Sequence, residues 1–430
     1  MENIIIIGGG AGGLELVTRL ARSLGKRKKA HIILVDKSRT HVWKPLLHEV
    51  AAGVIDKQSD GVEYGIHASR HGYEFQLGKV TGVDADNKSL QLEPLLDDDG
   101  SEILPARTLS YDKLIIAAGS VSNDFGTPGV AENAYFLDAL PQAERFHRAL
   151  LNQLLKKDHE KSFEQKLRIA IVGGGATGTE LAAQLHYIGD LAKSYGMPNM
   201  SAARLSITII EAGPRILPAL PHRISNSAKA ALFKINIEVK ENTMVAEATK
   251  GGFFTNKGEL IPADLMVWAA GVKAPEFVQN ISQVEHNRLG QIIVNEYLQT
   301  PNNQSLYVIG DSCGVEREDG SWVPPRAQSA HQMATTVSTN LINDYKGKPA
   351  KPFKYVDYGS LVHFSKYSTV GSLMGKLSNN NMFIEGRLAK LVYVSLYTFH
   401  LLAVHGKIKG LLTLMSRKVS SLLGPKFKLH

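Results

Sequence analysis

The chain has 430 residues, 43% hydrophobic and 21% charged, which allows two or three domains of about 150 residues each and excludes a disordered chain. Its single cysteine, Cys313, excludes a disulfide framework and any Cys-x-x-Cys redox pair, and suits a reducing, cytosol-facing compartment. The net charge is +8, and the segment Gly386–His430 carries eight Lys and Arg with no Asp or Glu, so the rest of the chain is neutral and the tail points to an anionic partner, a lipid surface or nucleic acid.

At the N-terminus, Met1-Glu2-Asn3 leads at once into Ile4 to Ile7, too short for a signal-peptide core, so no leader is expected. That apolar, β-branched run reads as a buried parallel strand. Gly8-Gly9-Gly10-Ala11-Gly12-Gly13 follows, then helical spacing from Leu14 to Leu20, a basic loop at Lys26 to Lys29, and a strand, Ile32 to Val35, ending on Asp36. Strand, G-x-G-x-x-G turn, helix and acid-tipped strand make a dinucleotide-binding βαβ unit. Gly8 makes the tight turn, Gly10 lets a pyrophosphate approach the backbone, and Gly13 lets helix and strand pack closely. The phosphates then rest on free N–H groups at the positive end of the helix, and Asp36 accepts hydrogen bonds from a ribose diol.

The plan returns downstream. Ile169 to Val172 precedes Gly173-Gly174-Gly175-Ala176-Thr177-Gly178, a helix is expected to begin near Thr179, and Leu205 to Ile210 ends on Glu211. Lys113 to Gly119 matches Leu265 to Gly271, each an apolar strand running into Ala-Ala-Gly. The three landmarks recur at offsets of 165, 175 and 152 residues, which reads as an internal duplication: two Rossmann-like domains in an α/β chain. A carboxylate at Glu211 favours the 2′-hydroxyl of NAD over the 2′-phosphate of NADP, while Arg215 keeps NADP open or contacts the pyrophosphate. Glu211 lies 33 residues past Gly178, beyond the usual ~20, and the excess is assigned to a loop at about Gly189 to Ala203. Leu306 to Asp311, a short strand ending in Gly310-Asp311, has no twin. The expected organisation is a first domain at 1–128 and 290–380, a second inserted at 129–289, and a separate terminal element at 381–430.

The Gly310-Asp311 strand end is similar to the flavin-binding feature of the two-dinucleotide-domain flavoproteins, which implies FAD in the first copy and NADH in the second. Over essentially its whole length the chain resembles the type II NADH:quinone oxidoreductases, most closely the proteobacterial branch. The resemblance rests on Gly8 to Gly13, Trp43-Lys44-Pro45-Leu46-Leu47-His48-Glu49-Val50, Ala176 to Glu180, Trp268-Ala269-Ala270-Gly271 and Ala327-Gln328-Ser329-Ala330-His331-Gln332. It implies a single-subunit, non-pumping respiratory enzyme with non-covalent FAD. Such an enzyme takes hydride from NADH and reduces a membrane quinone at the cytoplasmic face of the bacterial inner membrane. The flavin contacts it implies are Gly8, Gly10, Ala11, Gly12, Gly13, Asp36, Lys37, Lys44, Val80, Ala118, Gly119, Gly310, Asp311 and Ala327, and the NADH contacts are Gly173, Gly175, Gly178, Glu211 and Gly271. No metal site is expected.

Four residues are implied near the chemistry, each with a second reading. Gln328 and Gln332 correspond to the family's quinone site; four apart on a helix, they share a face and could present amides to a quinone carbonyl or flavin edge, or simply face solvent. Glu180 is implied at the nicotinamide–flavin–quinone junction, yet Thr177-x-x-Glu180 also has capping-box spacing. Lys366, like Lys44, is either a flavin-side contact or an ordinary exposed lysine. Cys313 reads as a packing residue, and one cysteine serves neither a disulfide reductase nor a sulfide:quinone oxidoreductase. The rival reading is a low-turnover NADH-binding flavoprotein with a signalling or interaction role.

In the tail, Leu391 to Val404 is a 14-residue, largely apolar run, too short to span a bilayer at ~20 residues, so it is a buried or interfacial helix. From Lys407 to Leu423, Ile408, Leu411, Leu412, Met415, Val419, Leu422 and Leu423 fall in one stripe with Lys407, Lys409, Arg417 and Lys418 outside it, until Gly424-Pro425 ends the helix. A basic amphipathic helix of this kind is a membrane anchor lying in the plane of an anionic bilayer. The alternative is a cap on the protein's own core or a homodimer interface. Nucleic acid would leave the apolar face without a role.

Overall fold

The computed structural model describes residues 1–55, 61–160, 165–364, 368–373, 382–385, 398, 400–406, 408–415 and 427. The two glycine motifs each open a parallel sheet. In the first sheet the order is Gln299–Thr300, Asn303–Val308, Lys113–Ile116, Glu2–Ile7, Ala30–Asp36, Glu74–Leu77, parallel throughout except for the Gln299–Thr300 edge. In the second it is Glu238–Lys240, Leu205–Ile210, Leu167–Val172, Leu265–Trp268, all parallel. In both, the strand before the glycines lies between the acid-tipped strand and the strand that runs into Ala-Ala-Gly. The registers match as well, Ile7 opposite Ile116 and Val172 opposite Trp268. The late strand Asn303–Val308 adds to the first sheet beside Lys113–Ile116.

The apolar runs are continuous because these strands are covered on both faces. Ile4, Ile5 and Ile6, adjacent in sequence and pointing alternately up and down, are all fully buried. Burial of each such side chain contributes roughly 1.5–3 kcal/mol, so the central strands are the most stable part of each sheet. Smaller antiparallel sheets flank the parallel ones, Val80–Asp84 with Ser89–Leu92 and Arg107–Ser110 on the first side, Val245–Thr249 with Gly252–Thr255 and Leu260–Pro262 on the second. A two-stranded ribbon, Val121–Ser122 against Val272–Lys273, joins the two units just beyond Gly119 and Gly271. The ends of the matching strands, where nucleotides bind in such folds, are therefore stitched to each other.

Three corrections to the sequence reading concern local structure. The second glycine helix spans Ala176–Ala192 and starts at the glycine turn itself, not near Thr179. No side chain caps it, so the alternative capping-box reading of Thr177 and Glu180 does not hold, and the Thr179 hydroxyl donates back to the Gly175 and Ala176 carbonyls. The long approach to Glu211 is this helix plus short 3-10 turns at Lys193–Tyr195 and Ala202–Arg204, with irregular chain between them.

The tail touches both units. Leu401 and Val404 are buried, His400 Nε2 lies 3.1 Å from His41 Nε2, and the His400 ring packs on Trp43 at 4.1 Å. At the other end Phe427 is 1% exposed, edge-on to His147 and Tyr195 of the second unit at 6.1 and 5.6 Å. Residues 408–415 are helical, and there the apolar stripe faces out: Ile408 is 79% exposed, Leu411 57%, Leu412 59% and Met415 60%. Lys366, the run 391–397 and the stretch 416–426 lie outside the described residues. Among the described residues no helix is long and apolar enough to cross a membrane.

Candidate functional site

Each glycine turn is fixed by backbone geometry that only glycine permits at two positions. Gly8 has φ +95°, and a Cβ there would sit 2.4 Å from the Ala117 carbonyl oxygen. A Cβ on Gly13 would come within 1.9 Å of the Gly8 carbonyl oxygen, so the helix Ala11–Leu20 seats directly on the turn. Gly173 and Gly178 repeat both contacts at 2.6 and 2.0 Å, against the Ala269 and Gly173 oxygens. Gly10 and Gly175, in contrast, face open space, and no side chain caps either helix N-terminus. Two helix starts with free N–H groups and a clear approach are anion cradles, and they fit the pyrophosphates of two dinucleotides.

The acid at each strand tip does more than the sequence reading asked of it. Asp36 accepts from the Gly9 amide at 2.6 Å and the Ser38 amide at 2.8 Å, while the Tyr64 hydroxyl closes the turn by donating to the Gly9 carbonyl at 2.7 Å. Burial pushes the Asp36 carboxyl above its usual range against the pull of those two amides. Glu211 accepts from Gly174 and Gly213, each at 2.7 Å. Both acids thus tie their strand to the middle of the glycine turn. Arg215 donates to the carbonyls of Leu217, Pro218 and Leu220, so its guanidinium is held by its own loop. Lys37 is exposed, Val80 is buried in the flanking sheet opposite Leu92, and Ala118 is half-buried at the strand end.

The late strand end is joined to the first unit through a chain of polar contacts. Lys44 Nζ donates to the Ser120 carbonyl at 2.7 Å and its hydroxyl at 3.2 Å, Ser120 Oγ donates to Asp311 at 2.8 Å, and Ser312 Oγ donates to the Gly119 carbonyl at 2.6 Å. Lys44, Gly119, Gly310 and Asp311 are thereby brought together, although Lys44 and Asp311 are far apart in the chain. Ser120 was not singled out by the sequence; its only signal is its place directly after Ala-Ala-Gly. Gly271 has φ +65° and abuts the Phe125 ring, on the far side of the connecting ribbon. Cys313 is buried, and burial pushes its thiol well above the usual range, so it is inert packing.

Between the two units lies a buried group of titratable side chains. Glu180, one turn into the second glycine helix, accepts from the His363 backbone amide at 2.8 Å, and its other oxygen lies 3.8 Å from His48 Nδ1. His48 in turn lies 3.9 Å from Glu49. Burial, with Glu49 adding repulsion against the pull of the His363 amide, raises the Glu180 carboxyl to about 8. Burial and His363 lower His48 to about 4, so near neutral pH both groups are uncharged. The sequence reading assigned Glu180 a role at the site but none to its neighbours His48, which appeared only within the Trp43 to Val50 block, and His363. They come from a short helix (Leu47–Ala51) and a late strand (Gly359–Phe364) that no local spacing links.

Gln328 and Gln332 do share a face of the helix Ala327–Asp344, but that face carries chain, not open space. Gln332 exchanges both amide hydrogen bonds with Val356, donating at 2.8 Å and accepting at 2.9 Å. Gln328 accepts from the Tyr358 amide at 3.1 Å and donates to the Gly359 carbonyl at 3.1 Å. The pair fastens the extended segment Val356–Gly359, which leads into the strand bearing His363. Ala327 begins this helix, and Ala330 on it meets the first glycine helix, since a Cβ on Gly12 would lie 3.0 Å from the Ala330 oxygen.

Paired glycine cradles with a buried protonatable group between them define a pyridine-nucleotide oxidoreductase of the two-dinucleotide type. The family model that matches residues 2–334 is that of the pyridine nucleotide-disulphide oxidoreductases. A type II NADH:quinone oxidoreductase of Haemophilus influenzae is 42% identical, with all of both chains covered. One of Mycobacterium tuberculosis is 26% identical over 96% of this chain and 87% of its own. Among solved structures, NDH2 from Plasmodium falciparum in complex with NADH matches with a TM-score of 0.82 at 21% identity, covering 99% of this chain and all of that one. The sulfide:quinone oxidoreductase of Aquifex aeolicus matches with 0.73 at 19% identity, over 98% and 95%. The chain belongs to the pyridine nucleotide-disulphide oxidoreductase family and, within it, to the type II NADH:quinone oxidoreductases. With Cys313 alone, it lacks the cysteine pair of the disulphide branch.

Proposed function

We infer that this chain is an FAD-dependent NADH:quinone oxidoreductase that passes two electrons from NADH to a membrane quinone without pumping protons. The observation that carries this reading is the ribbon Val121–Ser122/Val272–Lys273, which holds two uncapped dinucleotide cradles end to end with Glu180 buried between them. FAD, when bound, accepts hydride from the nicotinamide and delivers electrons to the quinone.

The rest is the work of the protein's own residues. The first cradle, Gly8 to Gly13 with Asp36, would hold FAD, helped by Ala118, Gly119, Gly310, Asp311 and the Lys44–Ser120 contact. Gly173, Gly175, Gly178 and Glu211 would hold NADH, and Glu211 would exclude a 2′-phosphate by charge. Glu180 keeps its proton up to about pH 8 and so stands as a proton source for quinone reduction, with the neutral His48 beside it. Gln328 and Gln332 act by fixing the Val356–Gly359 segment, and through it the strand that donates to Glu180; contact with quinone would require one of their present bonds to be exchanged. This assignment divides the chain into an FAD-binding domain (1–128 and 290–380), an NADH-binding domain (129–289) and a membrane foot (381–430).

The enzyme would sit peripherally on the cytoplasmic face of a bacterial inner membrane, through the outward apolar face of residues 408–415 and the basic tail. Steady-state NADH oxidation tests the reading. Turnover should rise strongly on adding a water-soluble quinone, and the same slow rate with and without quinone would favour a signalling flavoprotein instead. Full-length protein should sediment with anionic vesicles; Leu412→Asp with Met415→Asp should abolish this at any salt, because the apolar contribution is not screened.

A further inference from the structure

The seam where the tail meets the first unit holds a groove that the reaction does not use. Arg22, just after the first glycine helix, donates to the Val404 carbonyl at 3.3 Å and lies 3.3 Å from His71 Nε2. His67, beneath, lies 3.3 Å from the same carbonyl, and its ring stacks on His71 at 3.9 Å. Above these contacts opens a space of about 390 Å³ lined by Arg22, Lys26, Arg70, His71, His405 and Lys409.

The charge of this lining is uncompensated. Several cations elsewhere on the molecule pair with carboxylates: Arg19 with Glu15, Lys113 with Asp344, Arg168 with Asp264, Lys229 with Glu241. Among the described residues no carboxylate pairs with Arg22, Lys26, Arg70 or Lys409, and none lines the groove. Burial, and then Arg22, Lys26 and Lys409, hold His71 below the usual imidazole range. Four like charges around one space repel each other, and an anion with several acceptor oxygens relieves that repulsion. The remaining wall is apolar: Ile408 lines the groove, and the exposed Leu411, Leu412 and Met415 continue from it along residues 408–415.

We propose that this groove binds the phosphate of an anionic phospholipid headgroup, with the acyl chains laid along the apolar face of residues 408–415. A cationic pocket opening onto a lipid-seeking surface suits a phosphate that carries chains, and distinguishes this site from diffuse attraction to a charged bilayer. The proposal rests on the membrane-foot reading above. The shared chemistry is the phosphate, whose source is a lipid or a free anion.

The test is calorimetric titration of the full-length, FAD-loaded protein with dihexanoyl phosphatidylglycerol below its micelle concentration, beside dihexanoyl phosphatidylcholine and inorganic phosphate. Saturable one-to-one binding of the phosphatidylglycerol is expected, about tenfold tighter than either comparison ligand. Lys26→Gln with Arg70→Gln should weaken it roughly thirtyfold while flavin content and NADH oxidation stay unchanged. Absence of saturable binding, or unchanged affinity in the double variant, overturns the proposal. Inorganic phosphate binding as tightly as the lipid assigns the groove to a free anion and overturns the headgroup. Because the short-chain lipid needs no bilayer, failure of vesicle sedimentation with this titration intact would count against the foot and not against the groove.

Discussion

Glu15 and Glu180 occupy the same slot in the two copies, each two residues past the last glycine of its turn, 165 residues apart. Both are buried, yet their surroundings are opposite. Glu15 pairs with Arg19 one turn along its helix and with His331 Nδ1 at 2.6 Å, so its charge is matched on the spot. Among the described residues no Lys or Arg pairs with Glu180: the His48 imidazole 3.8 Å away is lowered to about 4, and a second carboxylate, Glu49, stands beyond it. One duplicated position has thus become a structural tie between helices and the other a group that holds a proton near neutral pH. The partners around the position, Arg19 on the same helix and His331 from another element for Glu15, decide the role, not the position in the motif.

The largest effect separates the two cradles themselves. Gly13→Ala and Gly178→Ala each drive a Cβ into a backbone oxygen at 1.9 and 2.0 Å, which should cost more than about 3 kcal/mol locally. The first should purify without FAD; the second should stay yellow but fail to be bleached by NADH in anaerobic stopped flow. The reverse pattern would exchange the two nucleotide assignments.

Glu180→Gln follows. A carboxyl at about 8 in the folded protein and 4.5 in the unfolded one keeps a proton that the unfolded chain gives up. Its contribution to stability is therefore full below about pH 4.5, falls as pH rises toward 8, and is lost above that. Glu180→Gln should remove that decline, gaining up to about 4 kcal/mol on the parent at pH 9 in chemical denaturation. Glu15→Gln should instead destabilise by about 1–2 kcal/mol through loss of its two partners, which are themselves partly exposed. Parallel pH profiles of the Glu180→Gln protein and its parent would erase the contrast between the two positions.

Smaller effects sharpen it. Glu211→Gln should reduce the preference for NADH over NADPH by about 1–2 kcal/mol in kcat/KM; an unchanged ratio would leave Glu211 with its turn-fastening role alone. Gln332→Ala removes a reciprocal amide pair and should lower stability by about 1 kcal/mol, with quinone reduction slowed and flavin reduction by NADH retained. Equal slowing of both half-reactions would mean that the Val356 segment serves the whole site.

Much of this was legible in the residues. The duplication could be read because most of a glycine turn is a local device: Gly13 and Gly178 meet the Gly8 and Gly173 oxygens of their own turns, and the more distant contacts of Gly8 and Gly173, with Ala117 and Ala269, fall on the Ala-Ala-Gly landmark that itself repeats. The strand end at Gly310-Asp311 was visible for the same reason. What the sequence did not disclose is assembled by side chains from distant segments. No spacing rule brings His48 and the His363 amide to Glu180, or Lys44 to Ser120 and Asp311. Nor does helical periodicity distinguish a glutamine facing a ligand from one fastening Val356, since both lie on the same face. The tail's apolar stripe was plain at 100° per residue, whereas the groove at its root depends on Arg22, Lys26 and Arg70 from two earlier elements.

The two ends of the tail rest on different halves of the molecule, His400 on His41 and Trp43, and Phe427 between His147 and Tyr195. Mechanically this makes the tail a strap. Any rotation that draws one glycine cradle away from the other must carry both anchors with it or pull one free. On the reading of the tail as a membrane foot, it would also be a brake on that rotation, and removing Phe427 would release the brake while leaving every residue of the two cradles in place.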